Sequence, residues 1–144
     1  MPRSTPSPAA ATPPLPLVYA CSGCSSAAQL SNHLAVRLDR ERRADMSCIA
    51  GLGGDAPSLV REAVRARETG RPILAIDGCA IACVLRTLAR HGIAPTRHLE
   101  LWRRGVRKQA HVDFDPAEAE ALLAECREIA AGLQAGTAPG QAPG

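Results

Sequence analysis

A chain of 144 residues is the length of one domain, and 46% hydrophobic with 22% charged residues is enough for a packed core. No apolar run approaches the ~18–20 residues that a membrane-spanning helix needs. A net charge of +3, with a single Phe, a single Tyr and a single Trp, is too little for the basic, stacking surface of a nucleic-acid binder. Residues 1–16 are rich in Pro, Ala and Ser and predict a disordered tail, as do residues 135–144. The tail holds no apolar stretch of signal-peptide length, so the expected compartment is the cytoplasm. Thiols are reduced there, so the six cysteines are expected to be metal ligands, reactive thiols or core residues rather than disulfides.

Between the tails, roughly residues 17–134, the hydrophobic period switches repeatedly. Leu17 to Ala20 is a short buried strand, followed by Ala27, Leu30, Leu34 and Leu38 on one helical face. Ala44 to Ala50 reads as a second, diluted strand, broken by Gly51-Leu52-Gly53-Gly54. Asp55 and Pro57 start a helix carrying Leu59, Val60, Ala63 and Val64 on its apolar face. Pro72 to Asp77 is the strongest strand, continuous as in the middle of a parallel sheet. Ile81, Val84, Leu85 and Leu88 form the next helix, ending near His91-Gly92. Arg97 to Trp102 alternates like an edge strand. Asp115-Pro116 opens a last helix with Ala119, Leu122, Cys126, Ile129 and Leu133 on one stripe. Alternating strands and helices of these lengths predict an α/β, three-layer, Rossmann-like domain of about four parallel strands with flanking helices.

Right-handed crossovers put all strand C-terminal ends on one rim, where ligands bind in such sheets. Five cysteines fall there: Cys21 and Cys24 after the first strand, Cys48 at the end of the second, Cys79 directly after the third, and Cys83 four residues on. A C-x-x-C turn can bring two sulfurs onto one tetrahedral ion with Zn–S bonds of about 2.3 Å. Cys79 and Cys83, expected at i and i+4 on a first helical turn, can chelate similarly. Gly23 and Gly78 permit close turns, and helix N-termini favour thiolate. Soft thiolates select Zn(II), Cu(I) or iron–sulfur clusters. The first expectation is zinc on Cys21, Cys24, Cys79 and Cys83, with Cys48 replacing one of them or lying nearby as a free thiol. Two alternatives stay open. One is thiol redox or sulfur transfer, with Cys21 attacking, Cys24 resolving and Cys48 or Cys79 passing on sulfur. The other is an iron–sulfur protein using the same residues. The implied partner is a protein, a small thiol or a metal donor.

The remaining polar residues read more plainly. Asp77 is expected to accept N–H groups of the turn or to support the metal ligands through hydrogen bonds. Cys126 is expected to be a small buried hydrophobe, and Met46 a core residue. His33, His91, His98 and His111 lack ligand spacing and read as surface or cap residues. Arg37, Arg40, Arg42 and Arg43 form a solvated face beside a helix end. The G-L-G-G loop has the look of an anion nest, but a simple turn is the plainer reading. Lys108, the sole lysine among 17 basic residues, is put down to coding bias.

The blocks Y-A-C-S-G-C-S, D-M-S-C-I-A-G-L-G-G-D, I-L-A-I-D-G-C-A-I-A-C and G-V-R-K, in this order, resemble the bacterial and archaeal DGC-domain family, whose members are labelled zinc-binding. The resemblance covers roughly residues 17–125, and the family tripeptide is Asp77-Gly78-Cys79. It implies a small cytosolic protein holding zinc through Cys21, Cys24, Cys48, Cys79 and Cys83. The chain departs from the pattern at Ala80, where a Pro often follows the third-block Cys.

Overall fold

The computed structural model describes residues 13–136. Residues 1–12 and 137–144, most of the two expected tails, lie outside the described residues. Among the described residues, no helix is long and apolar enough to cross a membrane.

The two most apolar runs lie in the middle of the sheet. β1 (Leu17–Ala20) and β3 (Ile73–Asp77) are buried at every position, as strands covered on both faces must be. They pair in parallel, Leu17 opposite Ile73 through Ala20 opposite Ile76. β2 (Asp45–Met46) flanks β1, and β4 (Arg97–Glu100) flanks β3, both in parallel, giving the order β2-β1-β3-β4. Strand parity then sorts the core. Val18, Ala20, Leu74 and Ile76 pack against α1 (Ser26–Arg40) and α5 (Pro116–Ala135). Leu17, Tyr19, Cys21, Ile73 and Ala75 pack with Leu52, Ala63, Ala66, Val84 and Leu88 of α2 (Ile49–Gly53), α3 (Pro57–Thr69) and α4 (Cys83–Arg90). Each fully buried leucine contributes about 1.5–3 kcal/mol by leaving water. Three layers result, as the periodicities predict.

Helix boundaries follow local chemistry. Ser25 caps α1 by accepting from Ala28 N at 3.1 Å. Pro57 opens α3, and Gly70, at φ +75°, closes it in the left-handed region. Asp115 accepts from Ala117 N and Glu118 N at the start of α5.

Three expectations are corrected. The second strand is not Ala44–Ala50 but two residues long, because Cys48 takes an N-cap conformation and Ile49–Gly53 coils into α2. The G-L-G-G run therefore continues a short helix, anchored by fully buried Leu52. The fourth strand stops at Glu100, and Leu101–Arg104 forms a 3₁₀ turn. The third expected helix begins only at Cys83: Ala82 sits at φ +54°, ψ +54°, and a left-handed non-glycine residue cannot continue a right-handed helix. Ile81, expected on its apolar face, lies outside α4 and is 54% exposed.

Candidate functional site

The chain leaves β1, passes through α1 and enters β2 on one side. It then crosses back to place β3 on the other side of β1. The switch in strand order thus falls between β1 and β3, where open α/β sheets form a crevice at the strand C-termini. Cys21 follows β1 directly, and Gly78-Cys79 follows β3.

The two ends are joined. Gly78 N donates to Cys21 Sγ at 3.1 Å, linking the first cysteine block to the third. Cys21 N donates to Ile76 O at 3.1 Å. A Cβ on Gly78 would lie 2.5 Å from Ala27 O and 2.6 Å from Ala27 C, so only glycine lets this turn touch the first turn of α1. Ser31, fully buried on α1, places Oγ 2.9 Å from Cys21 Sγ and 2.8 Å from both Cys21 O and Ala28 O. Either atom can donate in the Cys21–Ser31 contact, since the Ser31 hydroxyl can turn to the sulfur or to a carbonyl. Burial pushes the Cys21 thiol pKa up, and the Ser31 and Gly78 contacts only partly offset this.

The other rim thiols differ in setting. Cys24 is exposed, one residue before the Ser25 cap. Cys48 is exposed and is itself the cap of α2, accepting from Gly51 N at 3.3 Å. With Leu52 N on Cys48 O and Gly54 N on Ala50 O, the G-L-G-G donors are used internally, so this loop is a capped turn rather than an anion nest. Cys83 is exposed at the start of α4, close enough to raise the Cys21 thiol electrostatically. Cys79, half-buried, receives Lys108 Nζ at 3.5 Å. Because Ala82 breaks the chain direction, Cys79 and Cys83 are not one turn apart on a common helix face. Cys126 is fully buried among α1 and α5 side chains, its thiol pushed up to about 12 by desolvation.

Asp77 is the buried carboxylate of the rim. It accepts Val84 N at 2.9 Å and Leu85 N at 3.2 Å, neutralising donors of the first turn of α4. It also holds His98 Nε2 at 2.8 Å, while Nδ1 of the same ring lies 3.3 Å from Glu100 Oε1. Both ring nitrogens are engaged, so His98 orients the β3–β4 end rather than offering a free base or ligand. No local signal in the sequence pairs it with Asp77, which is why spacing alone does not find this role. The parallel β3–β4 pairing, with Ala75 opposite His98, makes that contact.

The donor set fits zinc in kind. Five soft sulfurs follow the C-terminal ends of β1, β2 and β3 along the chain, and two of them accept backbone N–H bonds. Among the described residues, no three His, Cys, Asp or Glu side chains stand together closely enough to hold an ion.

With this geometry in place, comparison with known proteins gives the family. The DGC domain model matches residues 17–126, and the chain belongs to the DGC-domain family. A relative from Pseudomonas aeruginosa, named "Anaerobic and virulence modulator AnvM", is 56% identical over 116 residues, covering 81% of this chain and 86% of the relative. No solved structure matches.

Proposed function

We propose that this DGC-domain protein is a soft-metal binder, zinc first, with a thiol site at the β1–β3 switch point and a regulatory rather than committed catalytic role. The observation that carries this reading is the Gly78 N–Cys21 Sγ bond, which brings distant cysteine blocks to one place. Cys21, Cys24, Cys79 and Cys83 would hold the ion, with Cys48 able to replace one of them. Cys24 and Cys83 are exposed, and on this reading their side chains turn toward Cys21 when the ion binds. When bound, zinc would act as a charged cross-link between the chain segments, adding binding free energy to folding. Asp77 and Ser31 hold the backbone that presents the sulfurs.

A thiol redox or sulfur-transfer role is the second reading, favoured by the C-x-x-C pair at the start of α1. Its roles are reversed from the sequence expectation: exposed Cys24 attacks, and buried Cys21, with its raised pKa, resolves. The relative is named an anaerobic and virulence modulator, and either thiol reading is compatible with a modulator role.

Anaerobic purification followed by elemental analysis and a visible spectrum separates these readings. The zinc reading expects a colourless protein with near-stoichiometric zinc, lost together with thermal stability on chelation. Cys79→Ser should loosen the metal, and Cys126→Ala should not. A brown protein with visible absorption points to an iron–sulfur cluster. Metal-free protein with a reversible Cys21–Cys24 disulfide points to the redox role.

A further inference from the structure

Lys108 is the only lysine in the chain, so apart from the N-terminus it carries the only side-chain or terminal amine. The fold delivers it to a thiol. The segment after the 3₁₀ turn lies over the first turn of α1, where Ser26 holds it at three points. Ser26 N donates to Gln109 O at 2.9 Å, Gln109 N to Ser26 Oγ at 3.0 Å, and Ser26 Oγ to Arg107 O at 3.3 Å. Ser26 is itself buried. The clamped backbone on both sides of residue 108 sets Nζ 3.5 Å from Cys79 Sγ. Among the described residues, it is the one polar side chain within hydrogen-bond reach of that sulfur. Gly78 fixes the sulfur's own loop against the same turn of α1. Arginine would supply the charge but not the chemistry, because a guanidinium stays protonated and is a poor nucleophile.

We propose that Cys79 and Lys108 form a reversible covalent cross-link on exposure to hydrogen peroxide. The Cys79 sulfur attacks peroxide. An S–O bond forms, the O–O bond breaks and water leaves, so sulfur loses two electrons and peroxide gains them. The Lys108 amine nitrogen then attacks the sulfenic sulfur. An S–N bond forms, the S–O bond breaks, and the departing hydroxide takes the amine proton as a second water, with no further change in electrons. A thiol reductant reverses the link: its sulfur displaces the amine, and a second thiol frees Cys79 as its disulfide partner departs. Sulfenic acids already condense with nitrogen in this way at backbone amides. The link would pin the segment over α1 to the β3–α4 loop and remove Cys79 from the rim. It needs no metal, and because the zinc reading assigns the ion to the same sulfur, the test is run with and without prior chelation so that failure of the link and failure of the zinc reading are distinguishable.

The test treats full-length protein with hydrogen peroxide, then maps tryptic peptides by mass with and without thiol reductant. The expected product joins the Cys79 peptide to the Lys108 peptide, lighter than their sum by two hydrogen atoms. Cleavage after Lys108 is lost, and reductant restores it. Lys108→Arg should keep the charge and the fold but abolish the product, leaving Cys79 sulfenic acid open to a trapping reagent. Oxidised Cys79 with no joined peptide in the wild type would overturn the proposal. So would a mass loss that persists in Lys108→Arg, which would report a disulfide instead.

Discussion

Gly78→Ala tests whether the contact between the β3–α4 turn and α1 determines the rim. The new methyl group would meet Ala27 O at 2.5 Å, Ala27 C at 2.6 Å and Ala28 N at 3.0 Å. All three are backbone atoms of a capped helix whose face is buried against the sheet, so no side-chain rotation can relieve the clash. Overpacking of this kind costs about 1–3 kcal/mol. Weakening the Gly78 N–H···Sγ bond to Cys21 adds about 1 kcal/mol. The sum, about 2–4 kcal/mol, should lower the melting temperature by roughly 8–15 °C for a domain of this size. Gly132→Ala is the internal control. It sits within α5, where an added Cβ would have nothing within 4 Å, and it should raise stability by about 1 kcal/mol through helix propensity. Thermal circular dichroism and urea unfolding, with an unchanged m-value, measure both. A Gly78→Ala protein within about 0.5 kcal/mol of wild type would refute the close-contact reasoning.

Asp77→Ala should cost about 3 kcal/mol in urea unfolding, because it strands Val84 N, Leu85 N and His98 Nε2 together; combining it with His98→Ala should be less than additive. Glu41, bound by Arg127 at 2.8 and 2.9 Å, has its pKa drawn down from 4.5 to about 2, first by that hydrogen bond. A depressed carboxylate stabilises above its unfolded pKa and loses that contribution as pH falls. Glu41→Gln should therefore cost about 1 kcal/mol at neutral pH once solvent screening is allowed for. The gap from wild type should close between pH 4.5 and about 2 in melts across that range. Native alkylation at pH 8, mapped by mass, should label exposed Cys24, Cys48 and Cys83 and spare Cys126, whose thiol is raised to about 12.

The linear chain already contained the architecture. Continuous apolar runs at Leu17–Ala20 and Ile73–Asp77 can be buried only as central strands, and the 3.6-residue stripes of α1, α3 and α5 need a sheet to cover. Those local periods also placed cysteine blocks just after the strands, where parallel topology gathers them. Boundaries are less legible where one residue's conformation decides them. Nothing in the letters A-I-A-C shows that Ala82 is left-handed, so periodicity alone starts the helix a turn too early. The same holds for Cys48, whose capping bond to Gly51 N makes α2 out of an expected strand.

What the tertiary structure alone decided is which groups meet. Asp77 and His98 are 21 residues apart and touch because β3 and β4 run in parallel in one particular register. Cys21 and Cys24 look equivalent as letters, yet one is sealed beneath Ser31 and the other is open to solvent. Lys108 reads as an accident of composition until Ser26 fixes its segment over α1 and brings its amine to Cys79. Periodicity is a property of neighbours along the chain. Burial and reactivity depend on which distant segments pack together, and that is fixed only when the sheet closes its register.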